Sequence, residues 1–202
     1  MELQNITLGN KGVLEFTSRF CELAKDIDGD FCEAGVGYGG QLVNMYNSHP
    51  TKKIYAFDSF QGIANHGKED IEFTQSYGKG ESNPRKSMGV TNVPLAQCKE
   101  TMMNFVPTLD RFIFVEGWFI DTLPKLTDEK FSIVRLDCDI YESYKTCLEY
   151  LYPRLSVEGY LIIDDWHLSG CKKALEEYFG QELVSLITID TSLGNASIKK
   201  WE

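Results

Sequence analysis

The sequence predicts an α/β domain built on a mostly parallel sheet. Strand-like apolar runs alternate with amphipathic, helix-like stretches along the chain. A glycine-rich turn, "GVGYGG" at residues 35–40, joins one such strand to one such helix. Several of the strands end in acidic residues, at the end of an open α/β sheet where ligands bind. A length of 202 residues with 43% hydrophobic and 25% charged side chains suits one domain with its own core. Residues 1–202 are therefore read as a single domain.

Each element has its own signal. A helix is expected over "GVLEFTSRFCELAKDI", with Val13, Phe16, Phe20, Leu23, Ala24 and Ile27 on one face. "DFCEAGV" reads as a strand, "GGQLVNMYN" as the helix after the glycines, and "KKIYAFD" as a second strand. Ser59 to Val93 is a long polar stretch, and a loop of that length in a compact domain is usually functional. Its glycines (Gly62, Gly67, Gly78, Gly80, Gly89) suit a lid-like insertion that orders over a ligand, with His66, Tyr77, Arg85 and Lys86 as candidate contacts. A solvated insertion is the plainer alternative. Pro94 opens a helix on which Leu95, Cys98, Met102 and Phe105 recur. Strands follow at "RFIFVEG", "FSIVRLDCD" and "GYLIIDD". The helix "ESYKTCLEYLYPRL" takes Ser143 as its expected N-cap. "GCKKALEEYFG" is a further helix, and "LVSLITID" with "ASIKKWE" forms a terminal hairpin.

Composition excludes several classes. No apolar run approaches the roughly 20 residues of a membrane helix. The start "MELQNITLGNKG" has neither the basic nor the apolar region of a signal peptide, so a cytoplasmic location is expected. A formal charge of −10 disfavours nucleic acid as a partner and favours a ligand that is neutral, cationic or held through a metal. The six cysteines are scattered, and Cys32 and Cys138 lie in apolar runs, which indicates packing rather than zinc or disulfides.

The acidic strand ends are Glu33, Asp58, Asp137 with Asp139, and Asp164 with Asp165. Asp58 follows Gly37 by 21 residues, the interval at which an acid commonly binds ribose hydroxyls. A turn cap is the structural alternative. Glu33 separates the cofactors. A dinucleotide would bring a diphosphate against this carboxylate, whereas S-adenosylmethionine brings a sulfonium and an ammonium. The E-x-G-x-G-x-G run of Glu33, Gly35, Gly37 and Gly39 suits that cation, the glycines allowing close approach. The carboxylates of "LDCDIY" and "IIDDW" suit Mg²⁺, a hard cation with oxygen ligands. Asp137 and Asp139 alternate along an extended chain, so one can bind metal while the other serves as a base. Metal-dependent phosphoryl or glycosyl transfer, or a non-catalytic cofactor-binding protein, are the rival readings. His66 is an alternative base; His49 reads as a turn residue, and His167, directly after the Asp-Asp pair, reads equally as a substrate contact or a helix-start residue.

With these motifs assembled, the chain resembles the macrocin O-methyltransferase family of Mg²⁺-dependent sugar O-methyltransferases. The resemblance runs from about Leu14 to Phe179 on "EAGVGYGG", "YAFDSFQGI", "FVEGWFIDTLP", "VRLDCDIYESYKTCLEYLYPRL" and "EGYLIIDDW". It implies a class I methyltransferase fold, a Rossmann-like sheet of seven strands with the last antiparallel. It implies Asp137, Asp164 and Asp165 as metal ligands and Asp139 as general base. Glu33, Asp58, Ser59 and Asp137 would contact the cofactor, and Glu116, Gly117 and Trp118 would hold its adenine end. Strand-end packing is the alternative for Trp118, and neutralising the acidic cluster is the role expected of Arg135. The implied acceptor is a small sugar or glycoside, and a homodimer is compatible with the family. Departures from its pattern are Gln61 for an acid, Glu158 for a glycine and Trp166 for a tyrosine.

Overall fold

Neighbouring residues of the central strands point to opposite faces, and both faces are covered. Phe31, Ile133 and Ile162 pack on one side of the sheet, while Cys32, Val134 and Leu161 pack on the other. Such two-sided burial is what near-continuous apolar runs specify. The computed structural model describes residues 2–7 and 11–201. In chain order the elements are α1 (Lys11–Leu23), β1 (Asp30–Ala34), α2 (Gly40–Ser48), β2 (Ile54–Asp58), β3 (Ala64–Asn65) and α3 (Ile71–Tyr77). Next come β4 (Asn83–Ser87), α4 (Leu95–Met102), β5 (Phe112–Glu116), α5 (Phe119–Thr122), β6 (Phe131–Leu136) and α6 (Tyr141–Leu151). The chain closes with β7 (Leu155–Ile163), α7 (Ser169–Phe179), α8 (Leu183–Leu186), β8 (Ile187–Asp190) and β9 (Asn195–Lys199).

The main sheet has seven strands in the order β5-β2-β1-β6-β7-β9-β8. β5, β2, β1, β6 and β7 run parallel, and β9 pairs antiparallel with both β7 and β8. This is the class I methyltransferase arrangement, with its antiparallel last strand. Helices α1, α2 and α4 cover one face, and α6 and α7 cover the other. The strand order reverses between β1 and β6, so their carboxyl ends open a crevice.

Four details differ from the sequence expectation. Helix α1 stops at Leu23, which is 51% exposed; its buried stripe is Val13, Leu14, Thr17, Phe20 and Cys21. Ala24, fully buried, and Ile27, partly buried, still pack on the core beyond the helix end, before the chain turns through Gly29 at φ 104° to enter β1. Ser143 is not an N-cap: it lies inside α6, whose first amide, that of Tyr141, is taken by Asp70. The stretch "LVSL" forms the short α8 rather than the start of a strand. Finally, β7 bulges between Leu155 and Tyr160, pairing there with Phe131 and Ile133. Glu158 in this bulge has φ 69°, the left-handed conformation that glycine tolerates.

The polar stretch 59–93 holds α3 and the two-stranded antiparallel β3–β4 sheet, and it is docked on the core. Asp70, 1% exposed, accepts from Gly67 N and Tyr141 N at 2.8 Å each. Ser169 Oγ accepts from Ile71 N at 3.0 Å while Glu72 accepts from Ser169 N, so α3 and α7 cap each other. Arg85 grips Asp121 of α5 with two nitrogens, at 2.7–3.0 Å. Composition signalled a loop because these contacts are long-range hydrogen bonds that leave no apolar period.

All six cysteines are buried and free. Among the described residues, no helix is long and apolar enough to cross a membrane.

Candidate active site

The glycine loop is shaped first by the scaffold. Gly35 has φ 90°, and a Cβ there would stand 1.6 Å from the backbone oxygen of Asp137. Gly39 has φ 84°, and its Cβ would meet Met102 Sδ at 2.5 Å. These two glycines let the end of β1 approach β6 and α4. Gly37 faces the cavity. Asp58, ending β2, braces the loop: its Oδ2 accepts from Val36 N at 2.7 Å and Gly37 N at 3.4 Å, its Oδ1 from Phe60 N at 2.7 Å. Burial raises its pKa, and these amides pull it back.

Glu33 and Arg135 sit opposite each other in the β1–β6 register, and Arg135 shares a strand side with Asp137 two residues on. Both Glu33 and Arg135 are 1% exposed. Arg135 Nη1 donates to Glu33 Oε1 at 2.6 Å and to Asp137 Oδ2 at 2.8 Å, while Nη2 donates to Asp164 Oδ1. Burial works against its charge, but Asp164, Asp137 and Glu33 outweigh it and hold the guanidinium ionised. Glu33 Oε2 and Arg135 Nε are buried without a partner. Burial pushes the Glu33 carboxyl up to about 8, with Arg135 opposing.

Asp139 follows β6 with φ 63°, inside a tight turn closed by Ile140 N to Cys138 O at 2.7 Å. Aspartate tolerates this conformation better than most residues, and strain of this kind gathers at functional sites. Asp165 Oδ2 accepts from the Asp139 amide at 3.0 Å and from the Tyr144 hydroxyl at 2.9 Å. Asn195 of β9 donates to Asp164 Oδ1 at 2.7 Å. Burial and like charge raise the carboxyls together: Asp137 to about 6, through burial and Asp164, and Asp139 to about 8, through burial, Asp137 and Asp164. Asp165 is raised well above its usual range, by burial and then by Asp139. One oxygen from each of Asp137, Asp164 and Asp165 lies within 4.8 Å of the others.

These groups line one cavity of about 280 Å³ at the carboxyl ends of β1, β2 and β6. Among the described residues, its walls carry seven carboxylates and a single cation, Arg135. Glu33, Gly35, Gly37, Asp58, Ser59, Trp118, Asp137, Asp139, Asp164 and Asp165 all line it. Gly39, Gly117 and Glu116 lie outside the lining; Glu116 is exposed, and Gly117 N serves the ladder by donating to Asp58 O. His66 also lies outside: its Nε2 bonds Gly78 O at 2.9 Å within the insertion, which removes the geometric basis for a role as base. Of the insertion, Gly62, Ile63, Ala64, Pro84 and Thr91 reach the cavity, whereas Tyr77, Arg85 and Lys86 are exposed. Sequence reasoning missed Ile6 and Thr7 beside Gly40, the α6 strip Glu142, Ser143 and Thr146, and Asn195. The helical period of α6 could have placed its strip; nothing local marks the others.

The macrocin-O-methyltransferase (TylF) family matches residues 11–192. The chain belongs to this family. Among its relatives, an 8-demethyl-8-(2,3-dimethoxy-alpha-L-rhamnosyl)-tetracenomycin-C 4'-O-methyltransferase of Streptomyces olivaceus is 33% identical, over 81% of this chain and 62% of that protein. The demethyldecarbamoylnovobiocin O-methyltransferase of Streptomyces niveus is 31% identical, over 83% of this chain and 65% of that protein. The chain thus spans somewhat under two thirds of the length of these relatives. Among solved structures, the O-methyltransferase NovP has a TM-score of 0.78 at 26% identity, covering 98% of this chain and 83% of that one. The calicheamicin methyltransferase CalS11 has a TM-score of 0.75 at 20% identity, covering 96% and 80%, and supports the fold alone.

Two features of the site bear on the groups it could hold. The free, buried Glu33 Oε2 at the cavity wall is a partner for an ammonium group. Three hard oxygen donors within 4.8 Å, carrying more negative charge than Arg135 can balance, suit a divalent cation such as Mg²⁺.

Proposed function

We propose that the protein is an S-adenosylmethionine- and Mg²⁺-dependent O-methyltransferase acting on a hydroxyl of a small, sugar-containing acceptor. The observation that carries this reading is the juxtaposition of Glu33 and its glycine loop with the Asp137–Asp164–Asp165 triad in one cavity. A phosphoryl or glycosyl transferase needs the triad but gives Glu33 no role.

Glu33 would bind the ammonium of the methyl donor, and Asp58, with lone pairs left after its three amide contacts, would accept ribose hydroxyls. Trp118 would flank the adenine. Asp137, Asp164 and Asp165 would hold the cation, whose Lewis acidity lowers the pKa of an acceptor hydroxyl. Asp139, which lines the same cavity two residues beyond Asp137, would take the hydroxyl proton. The walls then align acceptor oxygen, methyl carbon and sulfur, from which much of the acceleration comes. Ile63, Ala64 and Pro84 of the insertion and Glu142, Ser143 and Thr146 of α6 line the same cavity and would offer an acceptor both apolar and polar contacts. With seven carboxylates and one committed arginine, the cavity favours neutral or amine-bearing glycosides over phosphate-bearing sugars.

Calorimetric titration with S-adenosylhomocysteine and with NAD tests the reading. Binding of the first and not the second is expected, and the reverse would remove the methyl donor from the account.

A further inference from the structure

Arg135 belongs to two sites at once. Its Nη1 is divided between Glu33, on the cofactor side, and Asp137, on the metal side, and its Nη2 holds Asp164. The guanidinium and Glu33 are each 1% exposed, so their contact is shielded from water, while Asp137 and Asp164 are reached by solvent on their cavity side. The fork also fixes which oxygens remain: Glu33 turns Oε1 to the guanidinium and leaves Oε2 free and buried. Arg135 engages one oxygen each of Asp137 and Asp164, Oδ2 and Oδ1, and one oxygen from each member of the triad lies within 4.8 Å of the others.

We infer that Arg135 is a positioning residue that couples the methyl-donor pocket to the metal site by dividing one fixed positive charge between Glu33 and the pair Asp137–Asp164. The inference rests on the function proposed above. A ligand ammonium at Glu33 neutralises that carboxylate, and the guanidinium then settles on Asp137 and Asp164. A cation arriving there meets better-compensated oxygens and binds more weakly. The converse follows by linkage: a cation on the triad leaves the guanidinium to Glu33, which then holds an ammonium less well. Lysine keeps the charge but loses the planar fork that reaches three carboxylates, so it cannot transmit this exchange.

The test is calorimetry of S-adenosylhomocysteine binding with and without Mn²⁺, paired with Mn²⁺ titration by electron paramagnetic resonance with and without S-adenosylhomocysteine, on the whole chain. In the wild-type protein each ligand should weaken the other by one common factor of at least about threefold. In Arg135→Lys the factor should fall to within about twofold of unity, and both separate affinities should drop. Wild-type ligands that bind independently would overturn the inference, as would a coupling that persists in Arg135→Lys. If the lysine variant does not fold, the wild-type factor alone decides. Failure of the wild-type protein to bind S-adenosylhomocysteine at all would instead bring down the proposed function, and this coupling with it.

Discussion

Asp70 Oδ1 accepts the backbone amide of Tyr141 at 2.8 Å, so a residue of the insertion caps the helix that follows the Asp137–Asp139 turn. The contact spans 71 positions and ties the insertion to the start of α6. The other oxygen accepts Gly67 N, so both are used. Asp70→Ala leaves a buried amide at the start of α6 unpaired and should cost about 1–3 kcal/mol, read by urea unfolding. Because Glu142, Ser143 and Thr146 enter the cavity from α6, the acceptor's KM should rise while S-adenosylhomocysteine affinity changes little. A wild-type unfolding midpoint would show that the cap does not secure the insertion.

Asp139→Asn isolates the base. Asparagine tolerates the left-handed conformation at φ 63°, so the turn should persist. The turnover number should fall about 10²- to 10⁴-fold, as expected on losing a general base. Binding of S-adenosylhomocysteine and of Mn²⁺ should stay close to wild type in the same preparation. Near-normal turnover would take Asp139 out of the reaction.

The carboxyl shifts set a pH dependence for the metal-free protein. Glu33 and Asp139 are raised to about 8 and Asp137 to about 6, all above their unfolded values. The folded chain therefore holds protons that the unfolded chain releases. That stabilisation is complete below about pH 4 and is lost as the pH rises through about 6 to 8. The Tm in EDTA should decline across this window, and Mg²⁺ should raise it more at the alkaline end. A Tm in EDTA that is flat or rising between these limits would contradict the electrostatic picture.

Glu158 offers a stability test away from the site. Its φ of 69° costs roughly 1–2 kcal/mol for a residue with a Cβ, against a smaller entropic cost for glycine. Its exposed pairing with Lys199 offsets little of this. Glu158→Gly should stabilise the protein by up to about 1 kcal/mol, whereas Glu158→Ala should give no such gain. Equal effects from the two variants would mean that the backbone there is unstrained.

The sheet was legible because its strands are buried on both faces and so read as continuous apolar runs ending in acids. Glu33, Asp58 and the triad were legible for the same reason: a carboxylate at the end of an apolar strand has few structural uses. The insertion was not. Asp70 and Glu72 are ordinary polar residues until the fold brings them to Tyr141 and Ser169, 71 and 97 positions away. The arrangement of Arg135 was half legible. Its strand side followed from alternation with Asp137, but its link to Glu33 required the β1–β6 register. The glycine loop carried two messages under one pattern, since Gly35 and Gly39 serve the scaffold and Gly37 the cavity.

The central claim is metal-dependent methyl transfer, and one measurement meets it directly. The whole chain would be incubated with methyl-labelled S-adenosylmethionine and a panel of neutral, amine-bearing and nucleotide-linked glycosides, with Mg²⁺ or with EDTA. The account predicts label on an oxygen of a neutral or amine-bearing glycoside in Mg²⁺, and none in EDTA. Label transferred equally in EDTA, or phosphate or sugar cleaved from a nucleotide-linked glycoside without any methylation, would contradict it.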